Sequence, residues 1–387
     1  MILADLGAEV IKIEKPNGGD DFRRLRPGVT AQEGAPFLWC NRNKKSISID
    51  LKMPEGVRIA RDIIACSDIL VENFATGVMA RLGLDYGTAR SINPRLIYAS
   101  ISAYGREGSL SDRVGFDPIA QAESGFMSMN GEPDRTAVRA GPSVMDISTA
   151  SFTSTAILGA LVARDRYGEG QYIESALFDT AANMLGFHAI SYLATGKEPT
   201  RFGNNSRDSV PCNSFETADG SVFLDCANDR TWHRYATEVL HRPDLANDPR
   251  YAQTAERISN RDSLMPVLQE IMRTRPSAYW LESLRKAGVP AGQIKSISQA
   301  FASSEMESRE LVHAVPHPVA GMIPNMRLPF RMAGTPLADP VAAPTLGQHT
   351  EDVLRSVLRY NESEIKALAE SGVVTLPPRN SSMTPNN

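Results

Sequence analysis

The chain reads as an α/β protein, with a large part built on a mainly parallel sheet and a smaller α+β part. Three observations predict this. Over residues 1–195 short apolar runs alternate with helical stretches, the pattern of strands joined through crossover helices. Around 196–216 the composition turns polar and rich in turn formers, with Gly196, Pro199, Gly203, Asn204, Asn205 and Pro211 close together. And 387 residues exceed the roughly 250–300 that a single core supports.

In chain order, Met1 leads straight into Ile2–Gly7, which reads as the last turns of a helix with Gly7 as its C-cap. A chain that starts inside a helix is expected to lack an earlier strand and the start of that helix. No basic segment or cleavage-type site marks a signal peptide. Strands are expected at Glu9–Ile13, Ser46–Leu51, Ile69–Val71, Leu96–Ser102 and Gln171–Leu177, and helices at Pro54–Cys66 and Ile147–Arg166. Ala150–Ala163 is nearly all small or apolar, as in a helix packed deep on a sheet. Residues 1–195 thus form the large domain, 196–216 a linker and 217–302 the small domain. In the small domain Asp219-Gly220 turns into a strand at Val222–Cys226. Helices follow at Thr231–Leu240, Asp262–Thr274 and Pro276–Ala287. Residues 303–387 are expected to return to the large domain. From about 305 to the helix Thr350–Leu358 they are rich in proline and without periodicity. Such a segment needs a surface on which to bury Val315, Met322, Ile323, Leu328 and Phe330, and a second copy of the chain would supply it. Ser381–Asn387 reads as a disordered tail.

Composition narrows the function. A net charge of -4 carries no nucleic-acid footprint, and no apolar run approaches the roughly 18 residues of a membrane helix. The four cysteines, Cys40, Cys66, Cys212 and Cys226, have no paired spacing. That fits a reducing, cytoplasmic setting and argues against a zinc cluster or a disulfide framework. His313 and His317 are spaced i, i+4, but Pro316 and Pro318 break any helix that would join them at a metal.

Two aspartates stand between a loop or strand and a following helix: Asp146, after Ala140-Gly141-Pro142-Ser143, and Asp179. Aspartate is a favoured helix N-cap, and a carboxylate held there by backbone N–H groups is expected to stay ionised. From the residues alone, either one is a cap or a nucleophile.

A set of local signatures in fixed order separates them. Gly7-Ala8-Glu9-Val10-Ile11-Lys12-Ile13-Glu14 is followed by Val71-Glu72-Asn73-Phe74, then Gly115-Phe116-Asp117-Pro118-Ile119-Ala120-Gln121, then Asp146 within Val144–Thr149. Leu346-Gly347-Gln348-His349-Thr350-Glu351-Asp352-Val353-Leu354 comes near the end. In this order they resemble the family III CoA-transferases, a group that includes formyl-CoA transferase, the carnitine CoA-transferases and alpha-methylacyl-CoA racemase. The resemblance implies a Rossmann-like large domain made from both ends of the chain, and two chains interlocked as a homodimer. It implies Asp146 as nucleophile, with Asp117 beside it, and leaves Asp179 as a cap. CoA enters as part of an acyl-CoA substrate, with a small carboxylic acid as the other substrate and no permanently bound cofactor or metal. Lys15, Lys52 and Arg81 match the cationic CoA contacts, Asn73 with Phe74 the pantetheine contact, and Ile49 an apolar contact beside adenine. The racemase branch has a histidine where Phe116 stands, and phenylalanine accepts no proton, so an acyl-CoA racemase or epimerase is the alternative reading. A third is an inactive acyl-CoA binder that lacks the expected earlier segment. Lysine at 15 where the formyl-CoA enzyme has arginine, valine at 114 where it has lysine, and no glycine run in the small domain argue against formyl-CoA with oxalate. The sequence names no particular donor or acceptor acid.

Overall fold

The computed structural model describes residues 1–377; the predicted tail at Ser381–Asn387 lies outside them. The fold is a mixed α/β one. Strands β1 (Val10–Glu14) and β2 (Lys44–Ile49) pair in parallel, and β11 (Val374–Thr375) joins the far side of β2 antiparallel. Strands β3 (Ile69–Glu72), β4 (Ile97–Ser102) and β5 (Tyr172–Ala176) form an all-parallel sheet in that order. Helices join successive strands, with Pro54–Ala65 between β2 and β3 and Val144–Tyr167 as the crossover between the parallel strands β4 and β5.

The described chain divides into two compact units. One comprises Met1–Ala120, Ser143–Ala181 and the described part of Ser304–Asn387; the other comprises Gln121–Pro142 and Ala182–Ser303. Contacts therefore put 121–142 and 182–195 with the second unit, where the sequence reading kept them in the first. Those stretches carry helical residues like their neighbours, and composition alone does not mark the crossing.

In the first unit, Ile47 and Ile49 of β2 pack with Ile59 and Ile63 of the helix Pro54–Ala65, and with Val353, Leu354, Ile365 and Leu368 near the end of the chain. The loop before Thr350 is tied directly to β2. Ser46 Oγ accepts from the Gly347 N–H at 3.0 Å, and Thr350 Oγ1 accepts from the Ser48 N–H at 3.0 Å. Gly347 has φ +70, and a Cβ there would sit 3.1 Å from Ser48 Cβ. Glycine is what the close approach needs.

The second unit holds a three-stranded antiparallel sheet, β6 (Cys212–Glu216), β7 (Ser221–Asp225) and β8 (Ala291–Gln293). Trp232, Tyr235, Leu264, Leu268, Met272, Trp280 and Leu284 cover it as one core.

Two expectations are corrected. The proline-rich return segment contains an antiparallel pair, β9 (Val312–His317) and β10 (Gly321–Met326). Proline demotes a run to an edge or a non-strand in sequence reading, and a two-stranded ribbon consists of edges only. Its Val315 and Ile323 pack with Phe37, Leu38, Ala342 and Ala343 of the same chain, and Leu328 is buried too. These three residues need no second copy to cover them, whereas Met322 and Phe330 remain exposed. His313 and His317, four residues apart on β9, stand roughly 13 Å apart along a strand, too far to share one ion. The second correction concerns Val144–Tyr167. By length and composition it is the one helix among the described residues that could cross a membrane, although most of its surface is uncovered within the chain. Serine and threonine hide the run from sequence reading. The buried stripe Met145, Thr149, Thr153, Ile157 and Ala160 follows the helical period, and Ile157 and Ala160 meet Ile97 and Ala99 of β4.

Candidate active site

The long helix Val144–Tyr167 starts at Ser143, which makes no side-chain cap bond. Asp146 is therefore not the N-cap but a residue of the first turn, and its side chain is exposed. The capping acceptor comes from elsewhere in the chain. Asp117 Oδ2 takes the N–H of Met145 at 2.6 Å and that of Asp146 at 3.2 Å. Asp117 is only 3 % exposed, so two otherwise orphaned donors are satisfied by a buried carboxylate. Nothing local in the sequence shows this capping role, because the partners of Asp117 lie 28 and 29 positions away.

The same geometry corrects the expected support from backbone N–H groups, because Asp117 rather than Asp146 takes the N–H groups of Met145 and Asp146. The Asp146 carboxyl is raised above its ordinary value of 3.8, first by desolvation and then by the charge of Asp117. Asp179 likewise lies in the first turn of its helix, Leu177–Asn183, and not at the cap. The hydroxyls behind the long helix hold it in place. Thr149 Oγ1 bonds Thr180 Oγ1 at 3.0 Å, and Thr153 Oγ1 bonds Ser175 Oγ of β5 at 2.9 Å. Phe116, next to Asp117, is 70 % exposed.

Of the residues matched to CoA contacts, Lys15, Lys52, Asn73 and Phe74 lie just past the carboxyl ends of strands, where α/β sheets bind ligands, and Arg81 ends the short helix Val78–Arg81. Lys15 follows β1, Lys52 follows β2, and Asn73 with Phe74 follows β3. Lys15 is exposed and pairs with exposed Asp21 at 2.6 Å, a surface contact worth about 0–1 kcal/mol and easily exchanged for a phosphate. Lys52, Asn73 and Arg81 are exposed, and Phe74 is 46 % exposed. Ile49 differs. It is 1 % exposed and packs in the core, so its side chain offers no surface to adenine.

Sequence reading missed a buried pair beneath this loop. Glu72, the last residue of β3, accepts from Arg106 Nη2 at 3.0 and 3.1 Å and from the Phe74 N–H at 2.9 Å. The only signal was Gly105-Arg106-Glu107-Gly108, which marks a turn after β4 and says nothing of a partner.

Comparison with known proteins identifies the family. The family model described as CoA-transferase family III matches residues 1–350. Over 374 residues the chain is 36% identical to the succinyl-CoA:glutarate CoA-transferase of Mus musculus, covering 97% of this chain and 86% of that one. It is 37% identical over 359 residues to the succinate–glutarate CoA-transferase of Agrobacterium fabrum, covering 91% and 90%. A crystal structure of a CAIB/BAIF family protein from Brucella suis superposes with a TM-score of 0.81 at 35% identity, covering 91% of this chain and 92% of that one. With the fold, the family match and the named relatives in agreement, the chain belongs to CoA-transferase family III and is a CoA-transferase.

Proposed function

We propose that the chain moves CoA between two carboxylic acids through covalent intermediates on Asp146. One observation carries the reading: Asp146 is a solvent-accessible carboxylate on the first turn of a buried-faced helix, with a second carboxylate, Asp117, fixed at that helix end. Asp146 attacks the thioester carbonyl of the donor. A C–O bond forms, the C–S bond breaks, and the products are an aspartyl mixed anhydride and CoA thiolate. The thiolate then attacks the aspartyl carbonyl, giving an aspartyl-CoA thioester and releasing the donor acid as carboxylate. The acceptor carboxylate attacks that thioester, forming a second anhydride and freeing the thiolate again. Thiolate attack on the acceptor's carbonyl yields the new acyl-CoA and regenerates Asp146. A carboxyl raised above 3.8 comes closer in basicity to ordinary aliphatic acids, so the two sides of each anhydride leave with similar ease.

Lys15, Lys52 and Arg81 would meet the CoA phosphates, with Asn73 and Phe74 along the pantetheine. The names of the relatives support succinyl-CoA as donor and a short dicarboxylic acid such as glutarate as acceptor. The same reading takes the large unit as Rossmann-like, the location as cytoplasmic and the active species as a homodimer. The exposed apolar residues Ile147, Phe152, Leu158 and Val162 along the long helix support the dimer, because such a stripe is unusual on a monomer. Racemisation is disfavoured by Phe116, which supplies no second base.

The test is Asp146→Ala, assayed for CoA transfer from succinyl-CoA to glutarate. Activity should fall by several orders of magnitude with an unchanged circular-dichroism spectrum. Wild-type protein incubated with acyl-CoA and hydroxylamine should carry a hydroxamate at Asp146 by peptide mass spectrometry. Turnover retained in the alanine variant would remove Asp146 from the mechanism. Rapid exchange of solvent deuterium into the alpha carbon of a 2-methylacyl-CoA would favour the racemase reading.

A further inference from the structure

Arg106 sits in the turn after β4, and its side chain is only 14 % exposed. Each of its three nitrogens has a partner. Nε donates to Ser100 Oγ at 2.7 Å. Nη2 donates to both oxygens of Glu72 and to the Ile101 carbonyl at 2.8 Å. Nη1 donates to the Phe74 carbonyl at 2.7 Å and lies 3.4 Å from Thr76 Oγ1. Ser100 in turn donates its hydroxyl proton to Glu72, and Thr76 donates to the Ser111 carbonyl at 2.5 Å.

Joining β3 to β4 does not require this arrangement. The two strands already pair along their whole length, from Ile69 with Ile97 to Glu72 with Ser100. The guanidinium adds a hold on the chain beyond the last paired residue. It fixes the carbonyl of Phe74, and Thr76 then fastens the same loop to Ser111, on the stretch that runs to Phe116 and Asp117. Only a planar fork with several donors reaches all these acceptors at once; an ammonium does not.

We propose that Arg106 is a positioning residue for acyl-CoA, holding the loop Asn73–Thr76 in fixed relation to the stretch that leads to Asp117. This rests on the reading of Asn73 and Phe74 as the pantetheine contact. Asp117 caps the helix that carries Asp146, so one guanidinium sets the CoA-side loop against the segment whose end caps the helix of the reacting carboxylate.

Glu72→Gln with Arg106→Met is the informative variant, because it leaves no buried charge without a partner. It is measured as the full chain by calorimetric binding of CoA, and by kinetics with succinyl-CoA and glutarate. We expect CoA binding to weaken about tenfold, the scale of a lost charge-assisted bond. KM for acyl-CoA should rise in parallel, with KM for glutarate unchanged and a wild-type circular-dichroism spectrum. Arg106→Lys should keep most of the thermal stability yet still weaken CoA binding, since it retains the charge and loses the fork. If either variant folds and binds CoA as tightly as wild type, while Asn73→Ala and Phe74→Ala weaken it, the role of Arg106 is wrong and the pantetheine reading stands. If Asn73→Ala and Phe74→Ala leave CoA affinity unchanged, the pantetheine reading itself fails.

Discussion

An aspartate in the first turn of a helix ordinarily gains from the N–H groups around it, yet at Asp146 two of those groups are taken by Asp117. The consequence is a linkage between pH and stability. The Asp146 carboxyl is raised in the folded chain by desolvation and by Asp117, so the folded state holds that proton more tightly than the unfolded state does. Stability contributed by the protonated form is present at acid pH and is lost as pH rises through the folded value. Asp146→Asn should therefore raise Tm at pH 7, and the gain should vanish as the pH falls below 3.8, which parallel melts would reveal. Activity has the opposite requirement, because the nucleophile must be ionised. The acidic limb of the pH profile of kcat/KM should lie above 3.8 and should move down in Asp117→Asn, which removes the neighbouring charge and keeps a capping oxygen. A limb that does not move in that variant would mean that the charge of Asp117 does not act on the nucleophile.

At the scale of elements, distant segments are pinned by single side chains. Thr350 accepts from the Ser48 N–H at 3.0 Å and donates to the Gly347 carbonyl at 2.9 Å, and it is fully buried. Thr350→Val keeps the shape and strands that N–H of β2. Leaving a buried donor unpaired costs about 1–3 kcal/mol, so the midpoint of urea unfolding should fall with little change in slope. An unchanged midpoint would show that this bond does not hold the end of the chain to β2. A second such pin is Arg23, buried between Glu14 and Glu33, with Glu14 Oε1 at 2.7 Å and Glu33 Oε1 at 3.2 Å. Its two terminal nitrogens also reach the Pro344 carbonyl at 3.1 Å. Removing one member would leave a buried charge unpartnered, which is far costlier than removing all of them.

At the scale of the molecule, the long helix presents Ile147, Leu158 and Val162 outward while its other face lies on β4 and β5. Light scattering at micromolar concentration should return twice the 42.2 kDa of one chain. Leu158→Arg with Val162→Arg should lower the fraction of dimer. A wild-type mass equal to one chain would contradict the proposed assembly, and the outward stripe would then need another explanation.

The sequence by itself determined the alternation of strands and helices, the candidate nucleophile and the family. Those rest on local periodicity and on short signatures whose residues are near one another along the chain. The strand centres around Ile11, Ile47, Leu70, Ala99 and Ile173 were legible because apolar runs of strand length are local. Only the tertiary structure decided what Asp117 and Glu72 do, since the partner of each lies about thirty positions away. It also decided that Ile49 is core, and that Val315 and Ile323 form a ribbon in spite of the prolines around them. A buried polar group must find a partner somewhere, and the identity of that partner follows from how the strands are stacked, which no local pattern contains.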